Sequence, residues 1–353
     1  MRRYGFLAVA LFVMTAHAGA TSPSRPGIQF QHGDWEIACD NTGTCRAAGY
    51  QTDDDAHAVS VLLTRKAGPG TTVAGQLMLG QYGDDDVAML ERLPDPAILQ
   101  MRIDGKALGT VSVSHETAIG QLSGEQVAEL IASLSRHSRI EFLAGGDSWH
   151  LSGDGASAVL LKMDDAQGRI GTRGALVRKG PHDEQQVPAA QPMPLVHAAK
   201  ALDHATTPSP VLQRQAATLQ KQLAATTSAD DCANLFEARP DELSFEAARL
   251  DDGHWLVSVM CWQAAYNEGY AYWVIHAQPP FAPVLVTTDG SGYADGGIES
   301  SQKGRGLGDC LSSERWTWDG RQFVQTALSS SGMCKQVTPG GAWELPILVT
   351  AIR

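Results

Sequence analysis

Gly33-Asp34-Trp35-Glu36-Ile37-Ala38-Cys39 sets Trp35, Ile37 and Cys39 on one side of an extended chain and Glu36 and Ala38 on the other. Alternation with period two is the pattern of a half-buried β-strand. Further short strands are expected at Val59 to Thr64, Gln76 to Leu79, Ile98 to Ile103, Thr110 to Val113 and Ile140 to Leu143, with turns such as Asp104-Gly105 between them. Closely spaced short strands imply an antiparallel sheet. Two helices interrupt it. Ser123 and Gln126 form a capping-box pattern ahead of Val127, Leu130, Ile131 and Leu134 at helical spacing. Ala156, Val159, Leu160 and Met163 mark a second helical face that ends before Gln167-Gly168. The expected class is α+β: an N-terminal antiparallel sheet with two packed helices, then a mostly all-β C-terminal domain.

Outward from that core the chain divides. Residues 27–180 are read as the α+β domain. Residues 181–228, with prolines at 181, 188, 192, 194, 208 and 210, have a linker composition. Within them Ser209-Pro210 starts a weakly amphipathic helix through Leu212, Ala216, Leu219 and Leu223, expected on a domain surface or as a spacer. Residues 229–353 are read as a β-rich, disulfide-stabilised domain. There Trp255, Val257, Val259 and Cys261 share a strand face, and Tyr270, Tyr272 and Val274 return across Asn267-Glu268-Gly269. Ala282 to Thr287, Arg315 to Trp318, Gln322 to Leu328 and Leu348 to Ile352 add strands, with Asp319-Gly320 as a type I′ turn.

Residues 1–20 have the grammar of a signal peptide: Arg2 and Arg3, an apolar stretch from Phe6 to Met14, and Ala18-Gly19-Ala20 as the cleavage site. The apolar stretch is too short to span a bilayer, so no membrane span is expected after cleavage. The destination is the periplasm or the exterior. The chain carries 27 Lys and Arg against 39 Asp and Glu, net −12; without Arg2 and Arg3 it carries 25 against 39, net −14. Nucleic acid is therefore not an expected partner, because phosphate binding needs clustered cations. The partner is expected to be an envelope ligand or protein. The acidic runs Asp53 to Asp55 and Asp84 to Asp86 are read as solvated loops.

All six cysteines follow the signal segment. An even number in an oxidising compartment argues for disulfides, and no CxxC or zinc spacing with paired histidines competes. Cys39 and Cys45 flank a turn-forming pentapeptide and are expected to pair; Cys232 with Cys261 and Cys310 with Cys334 each link elements inside one short region. No metal site and no cofactor is expected.

The stretch from Gly33 to Tyr50, with its Gly-Asp-Trp opening and its two cysteines, resembles an exported bacterial family. So do Lys303-Gly304-Arg305-Gly306-Leu307-Gly308-Asp309-Cys310 and Trp316-Thr317-Trp318-Asp319-Gly320. That family is domain of unknown function 1176, and the likeness covers nearly the whole mature chain. The resemblance implies export and a disulfide-stabilised periplasmic fold, and it supplies no catalytic residues. The first half, through Trp149 to Met163, also resembles invasion-associated locus B proteins in its opening and in a strand followed by a small-residue helix.

Two segments are candidates for ligand binding. Lys303, Arg305 and Asp309 sit in a run of alternating glycines where backbone amides and positive charge would meet an anion or an acidic glycan; the alternative is a tight loop held by Cys310. Asp289 and Ser291 open a segment that spaces oxygen donors two apart, superficially like a calcium loop, but Tyr293 and Ala294 break that pattern and a hydrated turn is expected. No nucleophile elbow, zinc-protease motif or glycosidase pair is recognisable, so no catalytic residue is assigned. The leading reading is a non-catalytic binding or envelope-associated protein. The alternatives are a glycan-acting envelope enzyme and an inhibitor of a foreign envelope-degrading enzyme.

Overall fold

The computed structural model describes residues 26–353, and the expected signal peptide, Met1 to Ala20, lies outside them. The first half contains β1 (Ile28–His32), β2 (Trp35–Cys39), β3 (Cys45–Tyr50), β4 (Val59–Arg65), β5 (Val73–Leu79) and α1 (Asp84–Glu91). It continues with β6 (Ala97–Ile103), β7 (Lys106–Val113), β8 (Ile119–Leu122), α2 (Gly124–Leu134), β9 (Ile140–Ala144), β10 (Asp147–Leu151) and α3 (Ala156–Ala166). The ten strands form one antiparallel sheet in the order β1-β2-β3-β4-β5-β8-β7-β6-β9-β10. Trp35 of β2 and Trp149 of β10 share one buried core. A flat sheet would hold those strands about 40 Å apart at the usual inter-strand spacing, so the sheet curls around its apolar face.

Both expected helices close that core. Ser123 Oγ accepts from Gln126 N, the Gln126 side chain reaches back to Ser123 N, and Val127, Leu130 and Leu134 are buried. In α3, Ala156, Val159, Leu160 and Met163 face inward. One expectation is corrected: Asp84 to Asp86 are not a loop but the first turn of α1, where carboxylates complement the helix dipole. Asp53 to Asp55 do lie in a turn, with Asp55 accepting from Thr52.

Beyond α3 the chain folds over a buried ion cluster. Arg169 is fully buried and bonds Glu184, Gln167, Thr71 and the Gly68 carbonyl. Arg65 beside it reaches the Gly174 carbonyl at 2.8 Å and Asp164 at 3.8 Å. Asp164 in turn accepts from the amides of Leu176 and Val177.

The second half contains β11 (Leu195–Val196), β12 (Thr207–Pro208), α4 (Pro210–Gln213), α5 (Ala216–Ala224), α6 (Ala233–Glu237), β13 (Glu246–Arg249), β14 (His254–Gln263), β15 (Glu268–His276) and β16 (Val284–Gly290). Then come β17 (Gly292–Ala294), β18 (Gly297–Lys303), β19 (Leu311–Trp318), β20 (Phe323–Ser330), β21 (Leu345–Leu348) and β22 (Ala351–Ile352). Two five-stranded sheets, β12-β13-β14-β15-β16 and β17-β18-β19-β20-β21, pack face to face through Leu256, Tyr272, Trp316 and Trp318. The other face of the first sheet, with Val257, Val259 and Trp273, is covered by Leu212, Leu219, Leu223 and Leu235. The helix expected on a surface within 181–228 is thus two helices whose apolar side is buried, broken at Arg214-Gln215. This half is β-rich with a helical layer. The chain as a whole is mostly β with few helices.

Two turn expectations are also corrected. Asp289 to Asp295 is not a hydrated turn: β16 ends the first sheet at Gly290 and β17 begins the second at Gly292, so the chain crosses between sheets there. Asp319-Gly320 is not a two-residue I′ turn, because only Gly320 has positive φ. Asp319 to Gln322 form a four-residue loop in which the Asp319 carboxylate accepts the amides of Arg321 and Gln322.

Cys39–Cys45, Cys232–Cys261 and Cys310–Cys334 are all bonded. They fit an oxidising, non-cytoplasmic compartment. Among the described residues no helix is long and apolar enough to cross a membrane.

Candidate functional site

The two halves meet where residues 331–344, between β20 and β21, run across the outer face of the N-terminal sheet. Val337, Ala342, Trp343 and Leu345 pack on Ala38, Ala48, Tyr50, Leu62 and Met78. Trp343 Nε1 donates to Ser60 Oγ at 2.7 Å. Cys310–Cys334 ties this strap to the start of β19.

Beside the strap runs a groove of about 900 Å³, inside the usual range for a small-molecule site. One wall comes from β1, β2 and the turn between them, with Gln29, Gln31, Asp34 and Glu36. The opposite wall comes from the ends of β18, β19 and β20, with Gln302, Lys303, Ser312 and Ser330, and the strap residues Gly332 to Lys335 make the floor. Gln31 and Glu36 are register partners, so they stand on the same face of the sheet.

Two acidic groups in the N-terminal wall are held differently. Glu36 Oε1 accepts from Tyr50 OH at 2.7 Å and from Met333 N at 2.6 Å. Burial pushes its pKa above the usual carboxylate range, and those two hydrogen bonds only partly pull it back. Gly332 makes this approach possible: its φ is +95°, and a Cβ there would collide with the Tyr50 hydroxyl. Asp34 instead binds Lys335 Nζ at 2.7 Å, and Asp53 binds the same ammonium at 2.6 Å. Burial opposes the charge of Lys335, but the hydrogen bonds to the two aspartates hold its pKa above the ordinary lysine value. The hydrogen bond to Lys335 also draws Asp53 down.

Behind Lys335 lies a second space of about 740 Å³, bordered by Asp53, Asp55, Asp84, Asp85, Asp86 and Arg305. Two acidic runs far apart in sequence thus face one another. Burial raises the pKa of Asp86.

The sequence candidates are distributed unevenly. Lys303 lines the groove and makes no ion pair among the described residues. Arg305 is committed to Asp309 through two hydrogen bonds, and Asp309, with no exposed side-chain surface, also accepts from Gln336 N at 2.7 Å. The glycines make a tight loop: Gly304 N donates to Cys310 O, a Cβ at Gly304 would stand 2.7 Å from Cys310 Sγ, and Tyr82 OH holds Leu307 O. Asp289 accepts from Trp262 Nε1, Ser291 Oγ bonds Ser301, and neither lines the groove. Asp309, Cys310 and Cys334 form a group of potential metal ligands by distance, but the sulfurs are bonded to each other and the carboxylate is paired with Arg305.

A family model for proteins of unknown function, DUF1176, matches residues 29–350 and so takes in both walls and the floor. The chain belongs to the DUF1176 family. The chain is also similar to the uncharacterized protein YpfG of Escherichia coli (strain K12), 24% identical over 331 residues, covering 88% of this chain and 90% of that protein. No solved structure matches this DUF1176 chain. The likeness of its first half to invasion-associated locus B proteins is not shown by these matches.

Proposed function

We propose that this DUF1176 protein is an exported, periplasmic or secreted, non-catalytic binding protein, and that the groove between its halves holds an envelope ligand. The division at 27–180, 181–228 and 229–353 belongs to this reading, with the outer regions supplying the two walls. The signal-like residues 1–20 and the three disulfides support export. One observation carries the binding assignment: side chains from both halves of the sequence converge on a single groove of mixed polar and apolar lining in which Lys303 is not neutralised internally. Amides, serine hydroxyls and one lysine suit a polyhydroxylated, weakly acidic ligand such as an acidic glycan fragment. Calorimetry of the oxidised protein against N-acetylated, uronic or lactyl-substituted oligosaccharides tests it. Binding weakened at least 10-fold by Lys303→Ala is expected, and equal affinity in the variant removes the assignment.

A second reading, a glycan-acting enzyme, draws support from Glu36. Its carboxyl has a raised pKa and lies two residues from Asp34, which is paired with Lys335; two carboxyl groups in different environments are what glycoside cleavage requires. Release of reducing ends from the same oligosaccharides, abolished by Glu36→Gln, would replace the binding reading with this one. The inhibitor alternative calls for a rigid, disulfide-held loop near Cys310; the loop at 303–310 is held through Tyr82 and Asp309 with Leu307 exposed at its tip, and a block of lysozyme activity tests it.

A further inference from the structure

A second cavity, remote from the strap, opens at one end of the space between the two C-terminal sheets. It measures about 480 Å³. His254 and His276 are register partners at the ends of β14 and β15, and Leu256 pairs with Val274 two positions further in. Since side chains alternate, these four stand on the face turned toward the second sheet. Val284 is the register partner of Val274 and is 63% exposed. From the second sheet, Trp316 and Phe323, with Gln322 and Gln325 beside them, complete a slot of mixed apolar and polar lining.

Two polar groups at this slot have unusual preparation. Asp251 accepts the amides of Gly253 and His254, both at 2.7 Å, and takes His254 Nδ1 at 2.9 Å. The Asp251 carboxylate, fixed by two amides, takes the Nδ1 side of the His254 ring, so Nε2 is the nitrogen left for a ligand. That Nε2 has no hydrogen-bond partner among the described residues. The ring is held 6.0 Å from His276 and 6.0 Å from Trp318. Arg321 stands at the rim, its backbone amide anchored on Asp319 at 2.8 Å, and its guanidinium makes no ion pair or hydrogen bond among the described residues. In a chain of net charge −12, an unneutralised arginine beside a slot walled by Val274, Val284, Trp316 and Phe323 selects for an anionic group on a molecule with an apolar ring.

We propose that this slot binds a small aromatic carboxylate bearing a hydroxyl group: the ring between Val274, Val284, Trp316 and Phe323, the carboxylate on Arg321, and the hydroxyl donating to His254 Nε2. The assignment is independent of the seam groove.

The test uses full-length oxidised protein and 4-hydroxyphenylacetate as the probe, with calorimetry for affinity and NMR for location. Saturable one-to-one binding is expected, with shifts confined to the resonances of His254, Trp316 and their neighbours. Phenylacetate and 4-methylphenol should each bind at least 5-fold more weakly. Arg321→Gln should erase the preference for the carboxylate over 4-methylphenol. Val284→Trp, at an exposed position where folding is retained, should fill the slot and abolish binding. Lys303→Ala should leave it unchanged. Absence of binding at millimolar probe, equal affinity in Val284→Trp, or shifts located elsewhere overturns the proposal.

Discussion

Two places in this molecule bury a cation among carboxylates, and they differ in what surrounds them. Around Arg169 every charge is spent: Glu184, Asp164, Arg65 and several carbonyls complete one another beneath the chain that follows α3. Around Lys335 the same chemistry borders two water-accessible spaces, with Lys303 and the unused oxygen of Glu36 close by. The first arrangement stabilises a segment that has little apolar surface of its own. The second clamps two halves of the chain together and leaves polar groups for something else.

Breaking the closed cluster should cost most. Arg169→Met leaves Glu184 and Asp164 facing only Arg65, and a loss of about 3–5 kcal/mol in urea unfolding is expected for a broken buried pair. Opening Cys310–Cys334 by a double serine replacement should cost about 2–4 kcal/mol in the chain-entropy model, and should loosen the strap before the N-terminal core in hydrogen exchange. Lys335→Met comes next, at about 1–3 kcal/mol for leaving Asp34 half-buried and unpaired; Asp53, largely exposed, should contribute little. If Lys335→Met costs as much as Arg169→Met, the contrast between a closed cluster and an open clamp fails.

Glu36 sharpens the comparison through pH. Its folded pKa lies above the unfolded value, so the folded state binds the extra proton; its contribution to stability is full below about pH 4.5 and declines as pH rises through the folded pKa. Glu36→Gln keeps an acceptor for Tyr50 and Met333 and should remove that decline from the stability profile between pH 4 and 8. The smallest stability effect belongs to Lys303→Ala, within about 0.5 kcal/mol, since its ammonium pairs with nothing among the described residues.

Many of the strands, the two N-terminal helices and all three disulfides were legible because each depends on neighbours within about thirty positions: alternation in Trp35 to Cys39, the Ser123 cap, the turn between Cys39 and Cys45; β1, β8, β10, β13, β17 and β18 were not. The groove was not legible. Glu36 meets Met333 across 297 positions and Asp34 meets Lys335 across 301, and no local pattern encodes such a pairing. A signal did exist in the residues that should have faced water. Ala38, Ala48, Tyr50, Leu62 and Met78 are apolar on the outer side of their strands, which marks a sheet covered on both faces. The reading of 181–228 as a spacer missed the same kind of fact, because Leu212 and Leu219 find their partners only in a sheet built later in the chain.

The last strand has a consequence for how the molecule is made. β22 pairs in parallel with β11, Arg353 N donates to Val196 O, and Ala198 N donates to Arg353 O. A chain delivered from its amino end therefore cannot complete the β11–β22 pairing until Arg353 has emerged. The strands of the first sheet all precede residue 152, whereas the cleft also needs residues 302–335, so a chain released short of them would carry the first sheet without the cleft.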